Sequence, residues 1–280
     1  MLKIKNVKKK YGDFELDCSM EVKKGYITGI VGANGAGKST IFKAILGLIS
    51  IDDGEIEINL GDKFKTSVEK KQSIGVSFVD SGFSNVLNIK RIAVILDGMY
   101  ENFDKREFLR RCEIANLPLN KKTKEFSTGM KAKLKVLIAT SYDAKLLILD
   151  EPTSGLDVIA REELLDLMRD YMNRGDKSIL ISSHISTDLE GLCDDIYMIH
   201  EGKMIIHEET HNILDNYGIL KVTDEQFEKI DKKYLLKIDK ENFGYKCLTK
   251  EKQYYMENYK DIVIEKCSID EVVKLIVRGE

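Results

Sequence analysis

Apolar residues follow two rhythms along this chain. Tyr26-Ile27-Thr28-Gly29-Ile30-Val31 is a short β-branched run, Lys145 to Leu149 is a compact apolar run, and Ser178-Ile179-Leu180-Ile181-Ser182 is another buried-strand candidate. Runs of this length and composition predict strands buried on both faces. Between them the spacing changes. Thr40-Ile41-Phe42-Lys43-Ala44-Ile45-Leu46 has helical periodicity, and so has Arg161 to Asn173, with Leu164, Leu165, Leu167, Met168 and Met172 on one side. Apolar strands separated by helices predict an α/β fold with a mainly parallel sheet covered on both faces. Residues 1–25 and Glu55-Ile56-Glu57-Ile58-Asn59-Leu60 alternate instead, which predicts antiparallel strands.

Two segments depart from this plan. Over residues 85–140, Val94, Ile95, Met99, Phe108, Leu109, Ile114 and Leu117 fall at helical spacings, predicting a mostly helical insert. From about Tyr217 short strand candidates, Tyr234 to Ile238 and Asp261 to Ile264, alternate with helical stretches. Ser268-Ile269-Asp270-Glu271 reads as a helix cap before Val272 to Val277. The tail is expected to be a small α+β appendage, and it carries no interpretable motif.

Composition narrows the function classes. The 280 residues suit one large domain, or one large and one small, and 43% hydrophobic with 32% charged residues argues against global disorder. A net charge of -3 gives no whole-protein attraction to nucleic acid or anionic lipid. Five cysteines at positions 18, 112, 193, 247 and 267, never as Cys-x-x-Cys, favour reduced thiols over a zinc or disulfide framework. No apolar run approaches the roughly 18–20 residues of a membrane span, and no signal core precedes Lys8-Lys9-Lys10.

The chemistry lies in short motifs. Gly32-Ala33-Asn34-Gly35-Ala36-Gly37-Lys38-Ser39-Thr40 fits G-x-x-x-x-G-K-[ST] between an apolar strand and an apolar-faced helix. Gly32, Gly35 and Gly37 let backbone N–H groups curl around phosphate oxygens, with Asn34 in the same nucleotide-binding loop, at the positive end of the following helix. Lys38 is placed for β- and γ-phosphates, and the Ser39 hydroxyl for Mg²⁺, with Thr40 beside it. Leu146 to Leu149 runs into Asp150-Glu151. Asp150 at that strand's C-terminal end suits a direct or indirect Mg²⁺ partner, and Glu151, one residue on, a general base acting on water. His184 follows the strand ending at Ser182, on the rim expected to hold the phosphates. Phe126-Ser127-Thr128-Gly129-Met130 opens a helical run as a small anion-binding cap, and its own residues do not say what it binds.

The ordered set resembles the nucleotide-binding domain of ATP-binding cassette (ABC) transporters over about residues 1–215. Gly32 to Thr40 resembles their Walker A motif, Leu146 to Glu151 Walker B, Phe126 to Met130 the signature, Ser154-Gly155-Leu156-Asp157 the D-loop, and His184 the H-loop. Tyr11 resembles the aromatic residue that stacks on adenine. The resemblance implies a P-loop ABC fold. Its parts would be an antiparallel β subdomain and a helical signature subdomain at about 85–140; residues 216–280, beyond the resemblance, are expected to form a small C-terminal accessory region.

The resemblance also implies ATP with Mg²⁺, and a head-to-tail dimer with a second copy or a sister cassette. Ser127 and Gly129 would there contact the γ-phosphate held by the partner's Lys38, and Asp157 would link the two sites. It further implies a separate transmembrane permease, attachment to the cytoplasmic face of the membrane through it, and no nucleic-acid partner. Ser-Thr-Gly-Met in place of the usual signature is similar to the variant in ABC-2 type exporters of drugs and peptides. The glutamine such proteins carry after the strand near residue 74 is missing. Asp80 is the nearest polar substitute and a further candidate for Mg²⁺. A soluble ABC-class ATPase and a poorly hydrolysing regulator are the competing readings. The 88 residues between Lys38 and Ser127 are too few for the long insert typical of the former.

Overall fold

The computed structural model describes residues 1–61, 67–79 and 82–278. The chain opens with β1 (Leu2–Tyr11), β2 (Phe14–Val22) and β3 (Ile27–Val31), followed by α1 (Lys38–Ile45), β4 (Asp53–Ile58), α2 (Ser67–Gln72) and β5 (Ile74–Ser77). Three helices follow, α3 (Ile89–Met99), α4 (Lys105–Ile114) and α5 (Thr128–Ala139). Next come β6 (Leu146–Asp150), α6 (Val158–Met172), β7 (Ser178–Ser183), α7 (Ser186–Glu190), β8 (Asp195–His200), β9 (Lys203–Glu209) and α8 (Thr210–Asn216).

These strands form one nine-stranded sheet in the order β4-β1-β2-β9-β8-β3-β7-β6-β5. The stretch β8-β3-β7-β6-β5 is parallel throughout. Every residue of β3, β6 and β7 is buried, which is why each reads as a mainly apolar run without the alternation of a half-solvated strand. β1 pairs antiparallel with both β2 and β4, and their alternating burial follows from having one solvated face. The antiparallel part is continuous with the parallel part rather than a separate sheet. β2 joins β9 at the single register pair Asp17–Lys203, reinforced by Asp17 N–H donating to Gly202 O at 2.9 Å.

Over 85–140 the regular structure is helical apart from an isolated bridge between Asn88 and Lys122. Each helix begins at a side-chain cap: Asn88 for α3, Asp104 for α4, Ser127 for α5. Ile92, Leu96, Phe108, Cys112, Leu134 and Leu137 close their shared core. α5 is pressed against β5 so tightly that a Cβ at Gly75 would collide with the Ala139 carbonyl oxygen and the Leu147 side chain. Gly75→Ala is expected to cost about 1–3 kcal/mol, the range for overpacking, read as a lower denaturant midpoint; an unchanged midpoint would contradict this contact.

The tail adds β10 (Gly218–Val222), α9 (Asp224–Lys229), β11 (Leu235–Glu241), β12 (Gly244–Thr249), α10 (Lys252–Asn258), β13 (Val263–Lys266) and α11 (Ile269–Arg278). Its four-stranded antiparallel sheet runs β11-β12-β10-β13, the split βαβ arrangement of a βαββαβ unit. Alternate residues face opposite ways. Leu220, Val222 and Cys247 pack with Tyr255 of α10, whereas Ile219 and Leu248 join Val272 and Leu275 of α11 in the main core. Ile269 N–H donates to Glu190 Oε1 at 2.9 Å, tying α11 to α7. All five cysteines are buried and unpaired. Burial pushes the thiols of Cys18, Cys112, Cys247 and Cys267 up to about 12.

Candidate phosphate site

The site forms where β3, β6 and β7 end side by side. Parallel strands deliver their C-terminal ends to one rim, the usual place for a ligand in such sheets. β3 runs into the Gly-rich loop, β6 into Asp150 and Glu151, and β7 into His184. Gly35 (φ 82°) and Gly37 (φ 115°) adopt left-handed backbone, so the loop curls as only glycine readily allows. Gly37 also caps α1 without offering a side chain, which leaves the first turn's N–H groups turned toward the loop.

A cavity of about 340 Å³ opens here, lined by Phe14, the loop from Ala33 to Thr40, Val79, Asp150 and Glu151. Lys38 is buried within it. Its Nζ donates to Gly32 O (2.7 Å) and Ala33 O (3.3 Å) and lies 3.2 Å from Glu151 Oε1. Glu151 Oε2 contacts His184 Nδ1 (2.5 Å) and accepts from His184 N–H (3.1 Å). Ser39 Oγ donates to Asp150 Oδ2 (2.6 Å), and Ser182 Oγ donates to Asp150 Oδ1 (2.6 Å). Lys38, Ser39, Asp150, Glu151 and His184, five residues drawn from three separate motifs, therefore meet at one point.

Glu151 has φ 49°, left-handed backbone that costs a non-glycine residue about 1–2 kcal/mol. It persists because its surroundings over-determine it: Glu151 N–H reaches both Ser182 Oγ (3.0 Å) and Ser182 O (3.2 Å). Ser182 thus holds the Asp150 carboxylate and the Glu151 backbone at once, a role its place in an apolar strand conceals. Only the register Asp150↔Ser182 of β6 against β7 reveals it. Ser182→Ala should lower stability by about 1–3 kcal/mol, because buried polar groups lose their partner. A urea midpoint equal to that of the unaltered chain would refute this.

The ion implied with ATP can be tested against these donors. Mg²⁺ takes oxygen ligands and is held by one or two protein groups, the rest being waters and substrate phosphate oxygens. Ser39 Oγ and Asp150 Oδ2, adjacent at the mouth of the loop, are oxygens of the required kind. The donor set fits. Asp80 lies outside the described residues; Val79, next to it, lines the cavity.

The other expected residues stand apart. Tyr11 ends β1, 46% exposed, with Lys9 Nζ 5.4 Å from its ring centre, and is absent from the cavity wall. Phe14, paired with it across the hairpin, lines the cavity instead. Ser127 caps α5 by accepting from Met130 N–H (3.2 Å), and Asp157 caps α6 by accepting from Ala160 N–H (2.8 Å). A Cβ on Gly129 would lie 2.9 Å from Ala160 Cβ, so the two caps are neighbours. None of the three lines the cavity. One further contact went unforeseen: Arg161 Nε lies 3.7 Å from buried Asp188, bridging α6 to α7, just beyond His184.

Residues 16–154 match the family described as "ABC transporter". The chain is 37% identical over 212 residues to the lantibiotic transport ATP-binding protein SrtF of Streptococcus pyogenes, covering 75% of this chain and 91% of SrtF. It is 36% identical over 189 residues to the bacitracin transport ATP-binding protein BcrA of Bacillus licheniformis, covering 67% and 62%. Among solved structures, an ATP-binding subunit of an ABC transporter superposes with TM-score 0.66 at 26% identity, over 76% of this chain and 91% of that one. With its phosphate loop and paired carboxylates on the rim of a mixed sheet, the chain belongs to the ABC transporter family, among its ATP-binding proteins.

Proposed function

We propose that this chain is the ATP-hydrolysing subunit of an ABC-2 type exporter, driving transport through a separate transmembrane subunit. The observation that carries the reading is the convergence of Lys38, Ser39, Asp150, Glu151 and His184 at the mouth of the Gly-rich loop. Export is supported by the lantibiotic- and bacitracin-transport relatives. No described helix is long and apolar enough to cross a membrane, so on this reading the pore belongs to another chain.

The loop N–H groups, Lys38 and the end of α1 would hold the phosphates, replacing the Gly32 carbonyl and Glu151 as partners of Lys38. Glu151 would then be free to take a proton from water attacking the γ-phosphate, with His184 holding its carboxylate in line. Bound Mg²⁺ would neutralise developing phosphate charge, held by Ser39 with Asp150 behind it. Ser127, Gly129 and Asp157 lie outside this cavity, which suits their meeting the nucleotide of a second cassette, the chain's own copy or a sister. ATP then favours the closed pair because only that state offers it both sets of contacts. Residues 1–215 would form the motor and 216–280 an accessory region.

Phosphate release by the purified chain with Mg-ATP, and membrane affinity purification of its partner, test the two halves of this reading. Hydrolysis together with a co-purifying multispanning protein is expected. An inert chain, or one that brings down no membrane subunit, would overturn the corresponding half.

A further inference from the structure

Lys135 sits in the interior of α5, eight residues beyond the cap Ser127, half-buried on the side facing β5. Its Nζ donates to Phe78 O at 2.9 Å and to Val79 O at 2.6 Å. These are the first two residues after β5 ends at Ser77. A Cβ on Gly82 would lie 3.8 Å from Lys135 Cε, so the lysine stem also passes beside Gly82. Val79 in turn lines the cavity that holds Lys38, Ser39, Asp150 and Glu151. One side chain therefore spans from the helix that Ser127 caps to the wall of the phosphate cavity.

The chemistry suits a clamp. An ammonium has three donors and no acceptor, and bonds from a charged donor are stronger than neutral ones. The Phe78 ring packs on the core beside β3 and α1, whereas the valine side chain at 79 offers no hydrogen bond; the polar hold on both residues is through their carbonyls, which Lys135 takes. Farther along, Gly75 admits the Ala139 carbonyl, so α5 meets β5 there and the two residues after β5 at Lys135. A rigid helix rises about 1.5 Å per residue, which puts Ser127 and Lys135 about 12 Å apart on one body.

We infer that Lys135 is a positioning residue that makes the cavity wall at Phe78 and Val79 move with α5, and so with Ser127, as the site closes on nucleotide. This rests on the proposed ATPase reading of the cavity. It assigns to a lysine on the helix the linkage that the missing glutamine leaves unfilled in the loop.

The test compares Lys135→Met, which keeps length and loses charge, with Lys135→Arg, which keeps both. In the full chain, Lys135→Met is expected to lower kcat about tenfold while the Kd for Mg-ATP stays within about twofold, and Lys135→Arg to restore most of the rate. Hydrogen exchange supplies a readout independent of turnover. In a Glu151→Gln background, Mg-ATP should protect the amides of residues 74–79, and Lys135→Met should abolish that protection. Unchanged kcat with protection intact would overturn the inference. So would a joint loss of kcat, ATP affinity and unfolding midpoint that arginine does not rescue, the pattern of a merely structural staple. If the unaltered chain bound ATP without hydrolysing it, the ATPase reading would fail, and the exchange measurement alone would decide the role of Lys135.

Discussion

Glu151→Gln is expected to bind ATP at least as tightly as the unaltered chain while turning it over about 10²–10⁴-fold more slowly, the range for loss of a general base. The geometry gives both halves. Glu151 is the carboxylate at the end of β6 that touches His184, and glutamine preserves its size while removing its capacity to accept a proton. In this structure Glu151 Oε1 also occupies Lys38, 3.2 Å away, so the carboxylate competes with phosphate for the same ammonium. Removing its charge ends that competition, and affinity should hold or rise. Phosphate release and fluorescent-nucleotide titration read the two effects separately. An ATP-dependent shift from monomer to dimer on a sizing column should accompany them, since stalled hydrolysis leaves the closed pair populated. Turnover equal to that of the unaltered chain would remove Glu151 from the proposed role, and an unshifted elution volume at saturating ATP would count against the paired-cassette mechanism.

What could be read in the sequence was whatever is local. The Gly-rich loop, the carboxylates after β6 and the cap Ser127 are contiguous signals, each tied to the backbone within a few residues. The three fully buried strands announced themselves because burial on both faces favours apolar residues and admits polar ones only where they find partners, and Ile27–Val31, Leu146–Asp150 and Ser178–Ser183 lie within two residues of the runs that predicted them. β8 and β9 escaped notice. β9 alternates Met204, Ile206 and Glu208 with Lys203, Ile205 and His207, and its place in the sheet depends on partners far away in the chain. In the tail, strands were expected at 234–238 and 261–264 and stand at Leu235–Glu241 and Val263–Lys266, but the βαββαβ order arises from pairings no window can contain.

The residues missed at the site share one property: their meaning is a long-range hydrogen bond or a wall contact. Ser182 fixes the Glu151 backbone and the Asp150 carboxylate, 31 and 32 positions earlier, and Lys135 holds carbonyls 56 and 57 positions earlier. In sequence Ser182 is a small residue in an apolar strand and Lys135 one of several lysines on a helix. Phe14 is hidden differently. Tyr11 carries the resemblance, yet the tight turn between β1 and β2 brings Phe14 to the cavity and leaves Tyr11 at the tip.

Lys38→Ala should act in the opposite way to Glu151→Gln, weakening ATP binding about 10–100-fold. A hydrogen bond to a charged partner contributes about 1.5–3 kcal/mol, and each 1.4 kcal/mol is a factor of ten in affinity. Lys38 is 6% exposed, so its ammonium acts in a poorly solvated site where its interaction with phosphate is little screened. Alanine would also leave the Gly32 carbonyl without the 2.7 Å donor it now has and Glu151 without its cation. Some loss of stability is therefore expected even without nucleotide. ADP distinguishes the phosphates involved. If Lys38 serves mainly the γ-phosphate, the substitution weakens ATP much more than ADP, and if it serves β and γ together, both fall. Titration calorimetry of the two nucleotides against the purified variant, with its unfolding midpoint measured alongside, separates these cases. ATP affinity equal to that of the unaltered chain, in a variant that remains folded, would remove Lys38 from the phosphate site.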